Sequence, residues 1–110
     1  MTLRHLQANL LWTIPYNAEF EASSEQNPSR RIGHDVLHVM KSTGRIAAHV
    51  EAADHGRDKN RLGKEELAKE LVDWVVCALH IARLEGIDLQ DAVVKYNQLR
   101  NQGVIAAELT

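Results

Sequence analysis

The chain has almost no cysteine and almost no net charge. Cys77 is the only thiol in 110 residues, so no intrachain disulfide can form and a reducing compartment is expected. Thirteen basic residues against fifteen acidic ones leave a formal net charge of -2, so no overall positive field draws in nucleic acid or an anionic membrane. Neither is expected as a partner, and any anion site must be local. Long apolar runs are also missing. The opening MTLRHLQANLLW is too polar for a signal peptide, and the most apolar segment is broken by Asp73 and His80. A cytoplasmic protein is the expectation. Few runs are both β-branched and alternating, which argues against a sheet. What is present, 45% hydrophobic residues, suffices for one modest core, so a single domain over 1–110 is expected.

The apolar residues that do occur recur at helical spacing. Leu3, Leu6, Leu10 and Leu11 follow Thr2, a good N-cap, and predict a first helix from about Leu3 to Trp12. Residues 15 to 31 carry Pro15, Pro28, serines and mixed charge without a sustained period, and read as a loop. From Ile32 to Asp54, Val36, Val39, Ile46 and Val50 form one flank and Leu37, Met40 and Ala47 the next, so most of this helix is expected to be buried. A third helix is predicted from Lys64 to a left-handed C-cap at Gly86. A last one, LQDAVVKYNQLRNQ, opens at an Asp88 N-cap and ends at Gly103. The expected fold is all-α, a bundle of about four helices.

Two of these helices carry opposed stripes of charge. Positions advance about 100° each, so Glu66, Glu70, Asp73, Cys77 and His80 share a band about 80° wide, and His34, His38, Lys41, Arg45 and His49 share another. Leu67, Leu71, Trp74, Val75 and Leu79 surround the acidic band, and a carboxylate enclosed there needs a compensating charge. A divalent ion such as Mg²⁺, held by Glu66, Glu70 and Asp73, meets that need; so does a basic side chain from the opposite helix. Glu66 has a second reading as a first-turn carboxylate favoured by the helix dipole, and Cys77 reads as a small hydrophobe. His34 and His38 have the i, i+4 spacing of paired ligands, although no nearby residue completes a zinc motif.

Several segments in order carry a resemblance. LRHLQANLLW, then EELAKELVDWVVCALHIARLEGIDLQDAV with its Gly-Ile-Asp-Leu turn, then Lys95-Tyr96-Asn97 together resemble the MazG-like branch of the all-α nucleoside triphosphate pyrophosphohydrolases, a superfamily that also includes the dimeric dUTPases. Glu70 and Asp73 match the second half of the family's signature, E-x-x-D. The first half, E-E-x-x-E, is replaced by K-S-T-G-R, with Lys41, Ser42 and Arg45 in place of its three glutamates.

The resemblance implies a helical fold, Mg²⁺ at the acidic positions, and hydrolysis of an NTP or dNTP to the monophosphate and pyrophosphate. It also implies a homodimer or homotetramer. On that reading Glu70 and Asp73 are catalytic, while Lys41, Arg45, Lys95 and Asn97 contact the nucleotide. The Lys-Ser-Arg replacement shifts the local charge by about five units, two reversals and one neutralisation, and gives an alternative. There the basic side chains stand in for the metal, and the chain is a catalytically inactive module that binds a nucleotide or a protein. A third reading, an HD-type phosphohydrolase, rests only on the His34-Asp35 pair and neighbouring histidines.

Overall fold

The computed structural model describes residues 1–10 and 16–101. Among these the chain forms five helices and no strand: α1 (Leu3–Ala8), α2 (Ala18–Gln26), α3 (Ser29–Asp54), α4 (Lys64–Leu84) and α5 (Leu89–Asn101). The all-α class is as the sequence predicts. Trp12 and Gly103, the expected ends of the first and last helices, lie outside the described residues.

Most helix ends follow from local chemistry. The Thr2 hydroxyl accepts from the His5 N–H at 3.0 Å and caps α1. Asp88 does the same for α5, its Oδ1 accepting from Asp91 N at 3.2 Å. After α4, Gly86 takes φ +70°, and Ile87 N–H reaches back to Ala82 O at 2.8 Å. That is the Schellman closure, which needs a residue without a Cβ penalty in the left-handed region.

The segment expected as a loop contains α2. Its ends carry helix signals: the Asn17 side chain accepts from Phe20 N at 2.8 Å, with Glu19 and Glu21 in the first turn. No apolar stripe announced it because it is held from outside. Arg31 donates to Glu21 at 3.0 Å and to Ser24 at 3.0 Å, Arg30 donates to Ser23 at 2.6 Å, and Phe20 packs on Tyr16 and His34. Tertiary contact overrides a weak local pattern here.

The frame of the molecule is the α3–α4 hairpin. Three cross-links, Asp35 to His80, Ser42 to Asp73 and Arg45 to Glu70, fix an antiparallel register in which each step up α3 is matched by an equal step down α4. α1 lies against α4 and α5. Gln7 clasps the turn between them, donating to Ile87 O at 2.7 Å and accepting from Leu89 N at 3.1 Å, and Arg4 bridges Asp88 and Asp91, each at 2.6 Å.

The hairpin's packing departs from the sequence reading. Among the described residues the buried apolar side chains are only Ala52, Cys77, Leu79 and Ala82, while Ser24, Asp35, Ser42, Glu70 and His80 are buried with them. Val36, Leu37, Met40 and Val50, expected in the core, are exposed. All of these polar side chains but Ser24, which lies on α2, occupy the α3–α4 seam, so the apolar flanks of both helices turn outward. The radius of gyration, 17.2 Å, exceeds the about 13 Å of a compact chain this long.

Candidate functional site at the α3–α4 seam

The two charged stripes do meet, on a face slightly rotated from the expected one. Arg45 Nη1 donates to Glu70 Oε1 at 3.0 Å, and the Ser42 hydroxyl donates to Asp73 Oδ2 at 3.2 Å. Two of the three residues that the resemblance aligns with glutamates therefore bond directly to the carboxylates of the E-x-x-D pair. The nearby Ser42 hydroxyl first, and the Arg45 guanidinium after it, hold the Glu70 carboxyl below the usual carboxylate range, against the opposing effect of burial. Glu70 is enclosed and Asp73 is exposed, so the demand for compensating charge falls on Glu70, where Arg45 meets it. The neutralisation is one-sided. Glu70 Oε2 is buried and has no hydrogen-bond partner among the described residues.

The other expected site residues are dispersed. Glu66 turns to its own helix start, its Oε1 accepting from Gly63 N at 3.4 Å, as a first-turn carboxylate does. Lys41 is exposed and forms no hydrogen bond or ion pair among the described residues. Lys95 and Asn97 are exposed on α5, with the Lys95 ammonium 5.5 Å from the Tyr96 ring centre, and neither bonds to Glu70, Asp73, Lys41 or Arg45.

A metal held as the resemblance implies finds a poor fit. Among the described residues no three His, Cys, Asp or Glu side chains converge on one point, and a guanidinium occupies the space beside Glu70 where a cation would sit. Glu70 Oε2 remains an enclosed acidic oxygen with spare acceptor capacity.

Further along the seam lies a pair that the stripe analysis missed. Asp35 is fully buried and its Oδ2 meets His80 Nδ1 at 2.6 Å. Burial pushes the Asp35 carboxyl up, while the bond to His80 favours its charged form and pulls it down. Asp35 Oδ1 has no hydrogen-bond partner among the described residues. The signal for this pair was available: His80 already sat in the acidic band, and Asp35 lies at the helical spacing that also contains Ser42 and Arg45. His34 and Asp35 part company, one turning to His38 and the other to His80, so the two do not converge as an HD-type centre requires. Cys77, buried alongside, has its thiol pushed up to about 11, by burial first and then by Asp35 and Asp73, as expected for a packing residue.

Comparison with protein-family models, curated proteins and solved structures returns no match for this chain. No helix among the described residues is long and apolar enough to cross a membrane.

Proposed function

We propose that the chain is a MazG-like protein that binds a nucleoside triphosphate but has exchanged the metal-assisted hydrolytic site of that family for an ion-paired one. The Arg45–Glu70 contact carries this reading. A guanidinium placed on the retained acidic position supplies the positive charge that a metal would otherwise bring, and needs no metal-binding energy to do so. Lys41, unpaired among the described residues and one turn from Arg45, and the outward N–H groups of the half-exposed Arg45 offer a polyphosphate both a point charge and a fork. Support for the family assignment is the order of the sequence segments together with the helical hairpin.

With a panel of NTPs and dNTPs and millimolar Mg²⁺, the wild type should release no more pyrophosphate than a Glu70→Gln, Asp73→Asn double variant. Its melting temperature should stay constant as Mg²⁺ is added. Release clearly above the variant would replace this reading with the second one, a weakened Mg²⁺-dependent pyrophosphohydrolase. What favours that second reading is Glu70 Oε2, a buried acceptor without a hydrogen-bond partner among the described residues, whose spare capacity a cation would use.

We also assign the outward apolar faces to a homo-oligomer, most simply a dimer. Val36, Met40 and Val50 on α3, and Leu71, Val72 and Val75 on α4, are all exposed, and the described residues of a single chain bury little apolar surface. A second copy presenting the same two faces would close a four-helix arrangement with a dry centre. Light scattering should give twice the chain mass for the wild type. A Leu71→Glu, Val75→Glu variant should lose the dimer and much of its thermal stability; a wild-type monomer would refute the assignment.

A further inference from the structure

His34 and His38 lie outside the seam. Their spacing puts both rings on one face of α3, and the Nε2 atoms approach to 3.1 Å. The rings stand at 72° with centres 4.8 Å apart. His34 is boxed in by Tyr16, edge-on at 5.1 Å, and by Phe20 at 5.3 Å, so its orientation is set by packing. Two ring nitrogens this close share a proton and, after a small rotation of the rings, are near enough to chelate one metal. Imidazole nitrogens bind divalent transition metals at about 2.0–2.1 Å. At that length a 3.1 Å separation corresponds to a nitrogen–metal–nitrogen angle of about 100°, between the square and tetrahedral values.

We propose that His34 and His38 form a two-histidine clip for a divalent transition metal of the Cu²⁺, Ni²⁺ or Zn²⁺ type, on the surface of α3 and separate from the Arg45–Glu70 seam. The ion displaces the Nε2–Nε2 hydrogen bond: the donor ring's Nε2 proton passes by tautomerisation to its Nδ1, so that both neutral rings present an Nε2 lone pair and carry their one proton on Nδ1. No third His, Cys, Asp or Glu joins the pair among the described residues, so water or an added ligand fills the other coordination positions. Imidazole donors select this class of ion over Mg²⁺, which prefers oxygen. The clip does not depend on the nucleotide reading and stands or falls separately from it.

Calorimetric titration with Ni²⁺ should show one ion per chain, unaffected by excess Mg²⁺. His34→Gln and His38→Gln should each weaken binding at least about tenfold, while His49→Gln, on the same helix, should bind like the wild type. No binding by the wild type, or wild-type affinity in both clip variants, overturns the proposal. A measurement on the wild type alone removes any dependence on how the variants fold. Substoichiometric Cu²⁺ should broaden the His34 and His38 ring resonances before those of His5, His49, His55 and His80, and any of the latter disappearing first also overturns it.

Discussion

Replacing Lys41, Ser42 and Arg45 together with glutamate is expected to make the stability of the chain depend on Mg²⁺. The substitution turns K-S-T-G-R into E-E-T-G-E and places new carboxylates on α3 facing Glu70 and Asp73, because Ser42 and Arg45 already touch those two residues. Without metal the variant should melt lower than the wild type: Arg45 no longer neutralises the enclosed Glu70, and like charges crowd the seam. With Mg²⁺ at about 100 times its dissociation constant, linkage returns about 2.7 kcal/mol. For a domain this size that is a rise of about 10–20 °C, readable by scanning fluorimetry with and without the ion. Pyrophosphate release from NTPs should appear in the same variant. A helical variant whose melting temperature ignores Mg²⁺ would show that the α3 positions are not equivalent to the family's metal ligands, and the family assignment would lose its chemical basis.

The second large effect is expected at the other end of the seam. Among the described residues, His80→Ala removes the only hydrogen bond to the fully buried Asp35 carboxylate, whose Oδ1 already lacks a partner there. Breaking a buried pair from one side leaves an uncompensated polar group and costs about 3–5 kcal/mol, a large part of the 5–15 kcal/mol that holds a typical domain together. Much of the loss should return in an Asp35→Leu, His80→Leu double variant, which replaces both polar partners with apolar volume. Thermal unfolding followed by circular dichroism checks both statements. A loss below about 1 kcal/mol in the single variant would mean that Asp35 reaches solvent or another partner, contrary to its 0% exposure.

The sequence disclosed the helical frame because the frame is written in local signals. Thr2 and Asp88 cap as N-caps do, Gly86 supplies a left-handed residue, and the periods of α3 and α4 are long enough to be unambiguous. It disclosed the Arg45–Glu70 contact for a related reason: helical geometry confines each residue to a narrow arc, and two arcs of opposite charge have a reason to meet. α2 was not legible, because Arg30, Arg31 and His34 hold it from α3 and its own sequence shows no apolar face. The face of α3 was misjudged by a rotation of about 40°, since the cationic residues alone defined the band. Adding the shorter polar residues Asp35 and Ser42 recentres it on the face that meets α4. The outward turn of Val36, Met40 and Leu71 was hidden for another reason: hydrophobic periodicity reports that a face will be covered and does not say by which chain.

The hairpin's cross-links also decide how the two long helices align. An apolar seam tolerates sliding by a turn, because one aliphatic side chain replaces another at little penalty. Here a slip of four residues would set Asp35 against Val76 or Leu84 in place of His80, and Arg45 against Glu66 or Trp74 in place of Glu70. Asp35 would be stranded in either direction. The polar ladder therefore works like the cuts of a key, excluding neighbouring alignments more strongly than it adds to the depth of the chosen one.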